Sequence, residues 1–225
     1  MKLAVIAMGT VGTTLGDMFM KAGHDVKYGV RYPSSEQTQK RMAERPQGAT
    51  VGTIAEAVAW GEVIVLATPP FHEDAPIIEV AKSLGDGVAG KLVVDATNPC
   101  TAYPGLETRW TQGTSGAEVL QEALPDAKVA KVFNTISVHH MDAPDGSKIN
   151  GKQLRMLYAC DPSVKDAAEA VTVAAGWDPV YVGPLRYSRN LEAIAELYIH
   201  MSVLNSTGES LGPNFHFQYI SDKKP

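Results

Sequence analysis

The residues best placed to do chemistry sit at the start of the chain. A short apolar run, Leu3 to Ala7, is followed by Ala7-Met8-Gly9-Thr10-Val11-Gly12-Thr13-Thr14-Leu15-Gly16. Glycines at such a turn let backbone N–H groups approach an anion, with the dipole of the following helix behind them. The spacing fits a G-x-G-x-x-G dinucleotide fingerprint in which Ala7 replaces the first glycine. Gly9 would admit a pyrophosphate, and Gly12 would let helix and strand pack closely. The alternative is a tight turn with no ligand. The strand pattern before it and the amphipathic pattern after it favour the ligand.

The second chemical signal is at the end of the next strand pattern, Tyr28-Gly29-Val30-Arg31-Tyr32-Pro33-Ser34-Ser35. NAD binders usually carry an acidic residue there for the ribose 2′-hydroxyl. Here Arg31 stands in its place, with the hydroxyls of Ser34 and Ser35 nearby. A guanidinium matches a phosphate in charge and fork geometry, which predicts NADP(H) over NAD(H). The alternative is a solvated surface arginine. A real contact would be worth about 1.5–3 kcal/mol.

Other reactive side chains are weaker candidates. His139 or His140 could protonate a developing anion or hold an acceptor, or be surface histidines. His72 could border a nicotinamide or pack at a helix start. Cys100 has no basic neighbour in sequence to activate it. The only two cysteines, Cys100 and Cys160, lie in no CxxC pattern, so no metal site is expected. No carboxylate pair or Ser-His-Asp set can be placed.

These residues need a scaffold, and the apolar runs supply it. Strands are expected at Leu3–Ala7, Asp25–Gly29, Val63–Ala67, Leu92–Asp95, Lys128–Phe133, Leu154–Ala159 and Pro179–Val182. Helices are expected after Gly9, from Ser34 as cap to about Arg45, at Ile54–Trp60, Asp74–Leu84, Ser115–Leu124, Pro162–Ala175 and Leu191–Leu204. The alternation predicts an α/β fold: a doubly wound (Rossmann) parallel sheet with helices on both faces and a small C-terminal α/β cap. Asp, Pro, Gly and Ser between Met141 and Lys152 mark a linker or long loop. The division expected is 1–140 for an NADP-binding domain and 141–225 for a small subdomain for the acceptor pocket or dimerisation. Ile194, Leu197, Tyr198, Met201 and Leu204 form an apolar stripe, from which a homodimer is expected.

Composition removes several alternatives. The 225 residues are 44% hydrophobic, too apolar for disorder and long enough for a real core. A net charge of -5 argues against nucleic acid or an anionic membrane as partner. No apolar run reaches membrane-spanning length, and Met1 to Met8 reads as a first strand, not a signal peptide. A cytoplasmic location is expected from the sparse cysteines.

Several segments taken together resemble a known family: Gly9-Thr10-Val11-Gly12 with Arg31, Ala67-Thr68-Pro69, Asp95-Ala96-Thr97-Asn98-Pro99, Lys131-Val132-Phe133-Asn134-Thr135-Ile136, and Gly183-Pro184-Leu185-Arg186 with Ser188-Arg189 and Leu191-Glu192. The sequence resembles the NADPH-dependent reductases of the deazaflavin coenzyme F420. It is also similar to the cytosolic reductase domain of the six-transmembrane metalloreductases. The resemblance spans roughly residues 2–204 and implies hydride transfer between NADP(H) and a flat, flavin-like acceptor. It implies Met8, Gly9, Thr10 and Val11 at the pyrophosphate, and Val30, Arg31 and Ser35 at the 2′-phosphate. Ala67, Thr68, Pro69, Asn98 and Pro99 would line the nicotinamide ribose. Thr135 to Val138 would border the nicotinamide. Asn134, Ile136, Ser137, His139 and Leu185 would meet the acceptor.

Three readings follow. The first is an oxidoreductase passing hydride between NADP(H) and F420. The second is an NADPH-dependent reductase of a flavin, quinone, imine or small carbonyl compound. The third is a non-catalytic NADPH-binding redox sensor.

Overall fold

The computed structural model describes residues 1–203 and 210–222. The chain alternates strand and helix from its first residues. β1 (Lys2–Ile6), α1 (Thr10–Lys21), β2 (Asp25–Val30), α2 (Glu36–Ala43), β3 (Thr50–Thr53), α3 (Ile54–Trp60) and β4 (Val63–Leu66) form the first half of the sheet. Then come α4 (Asp74–Ser83), β5 (Leu92–Asp95), α5 (Gly116–Ala123) and β6 (Lys128–Lys131). The remainder is α6 (Val138–Met141), β7 (Arg155–Cys160), α7 (Lys165–Ala174), β8 (Asp178–Gly183) and α8 (Ser188–Val203).

The strands form one eight-stranded sheet in the order β3-β2-β1-β4-β5-β6-β7-β8. This is the doubly wound α/β architecture expected. The order reverses between β1 and β4, and such a switch point opens a crevice at the strands' carboxyl ends. β1 and β4 are apolar on both faces because helices cover both. One apolar layer packs Leu15, Phe19, Phe133, Met156 and Trp177 under α1 and α7. The other packs Ile6, Val58, Leu66, Ile77 and Leu120 under α3, α4 and α5.

Three details differ from the sequence expectation. β7 runs antiparallel to β6. The sequence between them folds into the short α6 and a loop, with no crossover helix across the sheet, so β7 enters from the opposite end. β3 was not anticipated, because four residues containing Gly52 read as a loop. α2 is capped by Ser35, whose hydroxyl accepts from Thr38 N–H, and not by Ser34.

β7 and β8 belong to the same sheet as the N-terminal strands. α8 buries Leu191, Ala195, Tyr198 and Ser202. Of the expected stripe on that helix, Leu197 is exposed, and Leu204 lies outside the described residues. Residues 210–222 return against α8 and β7. Phe215 packs on Tyr198 at 4.6 Å, and Tyr198 Oη donates to the Pro213 carbonyl at 2.7 Å. No helix among the described residues is long and apolar enough to cross a membrane.

Candidate functional site

The turn after β1 is held in a conformation that glycine normally occupies. Ala7 has φ 81°, and its N–H donates to Gly29 O at 2.9 Å. The missing fingerprint glycine is therefore an alanine kept in the left-handed region by the sheet. A Cβ on Gly12 would strike the Ala7 carbonyl oxygen, so glycine there is what lets α1 pack on β1. A Cβ on Gly9 would meet nothing within 4 Å, which leaves open space over the turn. Gly9 caps α1 without any side-chain hydrogen bond, and the first turn holds no acidic residue. Its N–H groups are available to an anion. Met8 does not crowd this space: its side chain is buried in the core.

A cleft of about 910 Å³ starts at this turn. At one end it is lined by Val30, Arg31, Tyr32, Ser35, Thr38 and Arg41. The loop carrying Arg31 is braced from within: Thr38 Oγ1 donates to Tyr32 O at 3.0 Å, and Gln39 Nε2 to Pro33 O at 2.8 Å. Arg41, on α2, was not anticipated from sequence. Its Nη1 donates to the Met8 carbonyl at 2.6 Å, so it couples the helix to the glycine turn and brings a second cation to this end. Ser34 is exposed and outside the lining.

The other end is formed by strand ends. Ala67, Thr68 and Pro69 follow β4; Ala96, Thr97, Asn98 and Cys100 follow β5. Pro99 is buried behind them, near Gly116. Asn98 is fixed by a reciprocal pair: its Nδ2 donates to Asn134 O at 3.0 Å, and its Oδ1 accepts from Asn134 Nδ2 at 3.0 Å. Thr97 N–H and Oγ1 both donate to Asp95 Oδ1, at 2.9 and 2.7 Å. Leu106 and Ile199 complete the cleft as an apolar wall. Burial, with Glu196 and Glu192 nearby, pushes the Cys100 thiol up to about 11, so it stays protonated and unreactive.

The Leu106 loop is strapped down by α8 and α4. Glu196 accepts from Thr108 N–H at 2.5 Å, Thr108 Oγ1 at 2.8 Å and Trp110 Nε1 at 3.4 Å. Arg109 pairs with Asp74 at 2.5 Å.

The structure gathers Met8, Gly9, Thr10, Val11, Val30, Arg31, Ser35, Ala67, Thr68, Pro69 and Asn98 around one cleft. It places other expected residues apart. Asn134 reaches the cleft through Asn98. Thr135 is buried, with Oγ1 3.8 Å from Met156 Sδ. Ile136 packs in the core, and Ser137 caps α6 by accepting from His139 N–H. Val138 and His139 are the first residues of α6; His139 is exposed, while buried His140 donates from Nε2 to Pro213 O at 2.5 Å. His72 stands beside Glu73 at 3.9 Å, and Leu185 packs against the cluster under α4 and α5. A second hollow of about 1030 Å³ follows the β8 edge, lined by residues such as Lys165, Tyr181 and Phe217. It contains none of the turn residues.

Known proteins share the fold. Residues 2–99 match the family model described as NADP oxidoreductase coenzyme F420-dependent. The chain is 30% identical over 194 residues to metalloreductase STEAP3 of Rattus norvegicus, covering 86% of this chain and 36% of that protein. The chain spans about a third to a half of the length of the curated relatives it matches. A crystal structure of "a putative f420 dependent nadp-reductase" from Arthrobacter sp. FB24 superposes with a TM-score of 0.82 at 25% identity, covering 98% of this chain and 100% of that one. A Streptomyces aurantiacus imine reductase shares the fold, with a TM-score of 0.63 at 15% identity over 88% of this chain and 60% of that one.

Proposed function

We propose, for a chain whose residues 2–99 match the model of the coenzyme F420-dependent NADP oxidoreductases, hydride transfer between NADP(H) and a flat, flavin-like acceptor, with the deazaflavin F420 as first choice. The observation that carries this reading is the continuity of the cleft: one space joins the glycine turn, two arginines, the Thr97–Asn98 strand end and an apolar wall. The residues fit the cofactor. Arg31 and Arg41 match a 2′-phosphate, and the capless start of α1 matches a pyrophosphate. Thr68, Pro69 and Asn98 would flank the nicotinamide ribose, with Asn98 held by Asn134.

Bound NADPH supplies the hydride; the protein supplies position. Transfer between stacked rings depends on distance and alignment. Leu106 and Ile199 offer a flat acceptor an apolar face and keep water from it. No side-chain proton donor is invoked, since solvent can deliver a proton to a reduced acceptor.

A flavin is the second reading, because the apolar wall presents ring-binding surface that a flavin and a deazaflavin share. Mixing the protein with NADPH and F420, then with flavin mononucleotide, distinguishes them by which acceptor band bleaches. Tight NADPH binding without turnover on either acceptor would favour the sensor.

A further inference from the structure

Beneath the floor of the cleft is a charge cluster that none of the binding contacts above requires. Lys131 Nζ lies 2.8 Å from Asp95 Oδ2 and 2.8 Å from Glu192 Oε1, and donates to the Thr97 carbonyl at 2.6 Å. The three side chains are almost completely buried, with exposures of 0%, 2% and 0% for Lys131, Asp95 and Glu192. Burial opposes the charge on Lys131, but the two carboxylates outweigh it and keep the ammonium above lysine's ordinary range. Burial pushes the Glu192 carboxyl up, against the pull of Lys131. Ion clusters this deep contribute little that a well-packed apolar core could not. What such a cluster does supply is a fixed geometry among the segments it joins.

The cluster ties together the segments that frame the cleft. Lys131 ends β6, Asp95 ends β5, and Thr97 lines the cleft itself. Glu192 comes from α8, and its Oε2 accepts from Gly116 N–H at the start of α5 at 3.2 Å. Glu192, Glu196 and Ile199 follow helical spacing along one side of α8. One helix therefore anchors on Lys131, straps the Leu106 loop through Glu196, and forms the far wall of the cleft through Ile199.

We propose that Lys131 is a positioning residue for hydride transfer: through Asp95, Glu192 and the Thr97 carbonyl it sets the separation between the Thr97–Asn98 side of the cleft and the α8 wall opposite. This rests on reading the cleft as the NADP(H) and acceptor site. A misplacement of about 1 Å at a reacting centre can cost on the order of a hundredfold in rate.

The test compares Lys131→Met and Glu192→Gln with Glu118→Gln. Glu118 pairs with Arg189 at 2.7 Å and also ties α5 to α8, but it lines no part of the cleft. The measurements are the affinities for NADPH and for 2′,5′-ADP, kcat and KM with NADPH and the best acceptor, and the melting temperature. Lys131→Met is expected to lower kcat about 10- to 100-fold while 2′,5′-ADP binds as in the wild type, since only the nicotinamide end is disturbed. Glu192→Gln keeps an oxygen for Lys131 and should lose less. Glu118→Gln should lower the melting temperature and keep kcat.

The proposal is overturned if kcat and melting temperature fall together in all three variants, or if Lys131→Met keeps the wild-type kcat. Should Lys131→Met not fold, Glu192→Gln decides the matter alone: a wild-type kcat overturns the proposal. A wild-type protein that binds 2′,5′-ADP but transfers no hydride to any acceptor overturns the functional reading, and the positioning role with it. A kcat loss confined to the cluster variants supports both.

Discussion

Arg31 and Arg41 bring two guanidinium groups to one end of the cleft from different elements. Arg31→Ala should weaken NADPH binding about 10- to 100-fold, the value of a charge-assisted contact of about 1.5–3 kcal/mol, and leave NADH nearly unchanged. Arg41→Ala should weaken both cofactors, because its contact with the Met8 carbonyl also holds the glycine turn proposed for the pyrophosphate. Fluorescence titration of both nucleotides checks this; equal losses for Arg31→Ala would remove its role. Ala7 supplies a further test. With φ at 81°, Ala7→Gly relieves strain of about 1–2 kcal/mol while adding about 0.5–1 kcal/mol of unfolded-state entropy. The variant should melt at or slightly above the wild-type temperature, where an ordinary alanine-to-glycine change would lower it. The place of Arg31 in the cleft was legible in sequence because it depends only on its position after β2. Arg41 was not: it lies on a polar helix whose approach to Met8 depends on tertiary packing.

At the scale of elements, α8 does more than its apolar pattern announced. The sequence suggested a stripe through Ile194, Leu197, Tyr198, Met201 and Leu204; the helix turns Tyr198 inward with Leu191 and Ala195, leaves Leu197 exposed, and gives Glu192 and Glu196 structural work. Pairings such as Lys131 with Glu192 and Glu196 with Thr108 join distant parts of the chain, so no local window contains them. Short-range signals fared better: α3 and β5 fall where the periodicity put them. Glu196→Ala should free the Leu106 loop, raising KM for the acceptor and speeding proteolysis between residues 101 and 113, with a stability loss of about 1–3 kcal/mol. The C-terminal tail gives a pH test. Burial holds His216 below the ordinary value of 6.5, against its hydrogen bond to Arg155 O and with His140 adding to the lowering. The unfolded chain takes up this proton first, so its stabilising contribution is present above 6.5 and is lost as pH falls below it. Between about pH 7.5 and about pH 5.5 the wild type should lose more melting temperature than His216→Phe. Parallel losses would assign the acid sensitivity to other groups.

On the scale of the whole molecule, β7 and β8 continue the sheet begun by β1. A fragment ending at residue 140 would leave the β6 edge unpaired and strip the core layer that holds Phe133 of Met156 and Trp177. Such a fragment should aggregate or stay partly unfolded; a cooperative melt would contradict this. The parallel αβ order was legible because alternating apolar runs dictate it. The direction of β7 was not, because strand patterns are the same in either sense. The apolar wall was the least legible part: Leu106 and Ile199 line one cleft only because α8 straps the Leu106 loop. For the proposed passage of hydride from NADPH to a flat acceptor in this cleft, the decisive measurement is anaerobic mixing of the protein with NADPH and F420. The F420 band should bleach in step with NADPH loss, and Arg31→Ala should abolish the bleaching at low NADPH concentration. NADPH binding with no oxidation by F420 or by any flavin would contradict it.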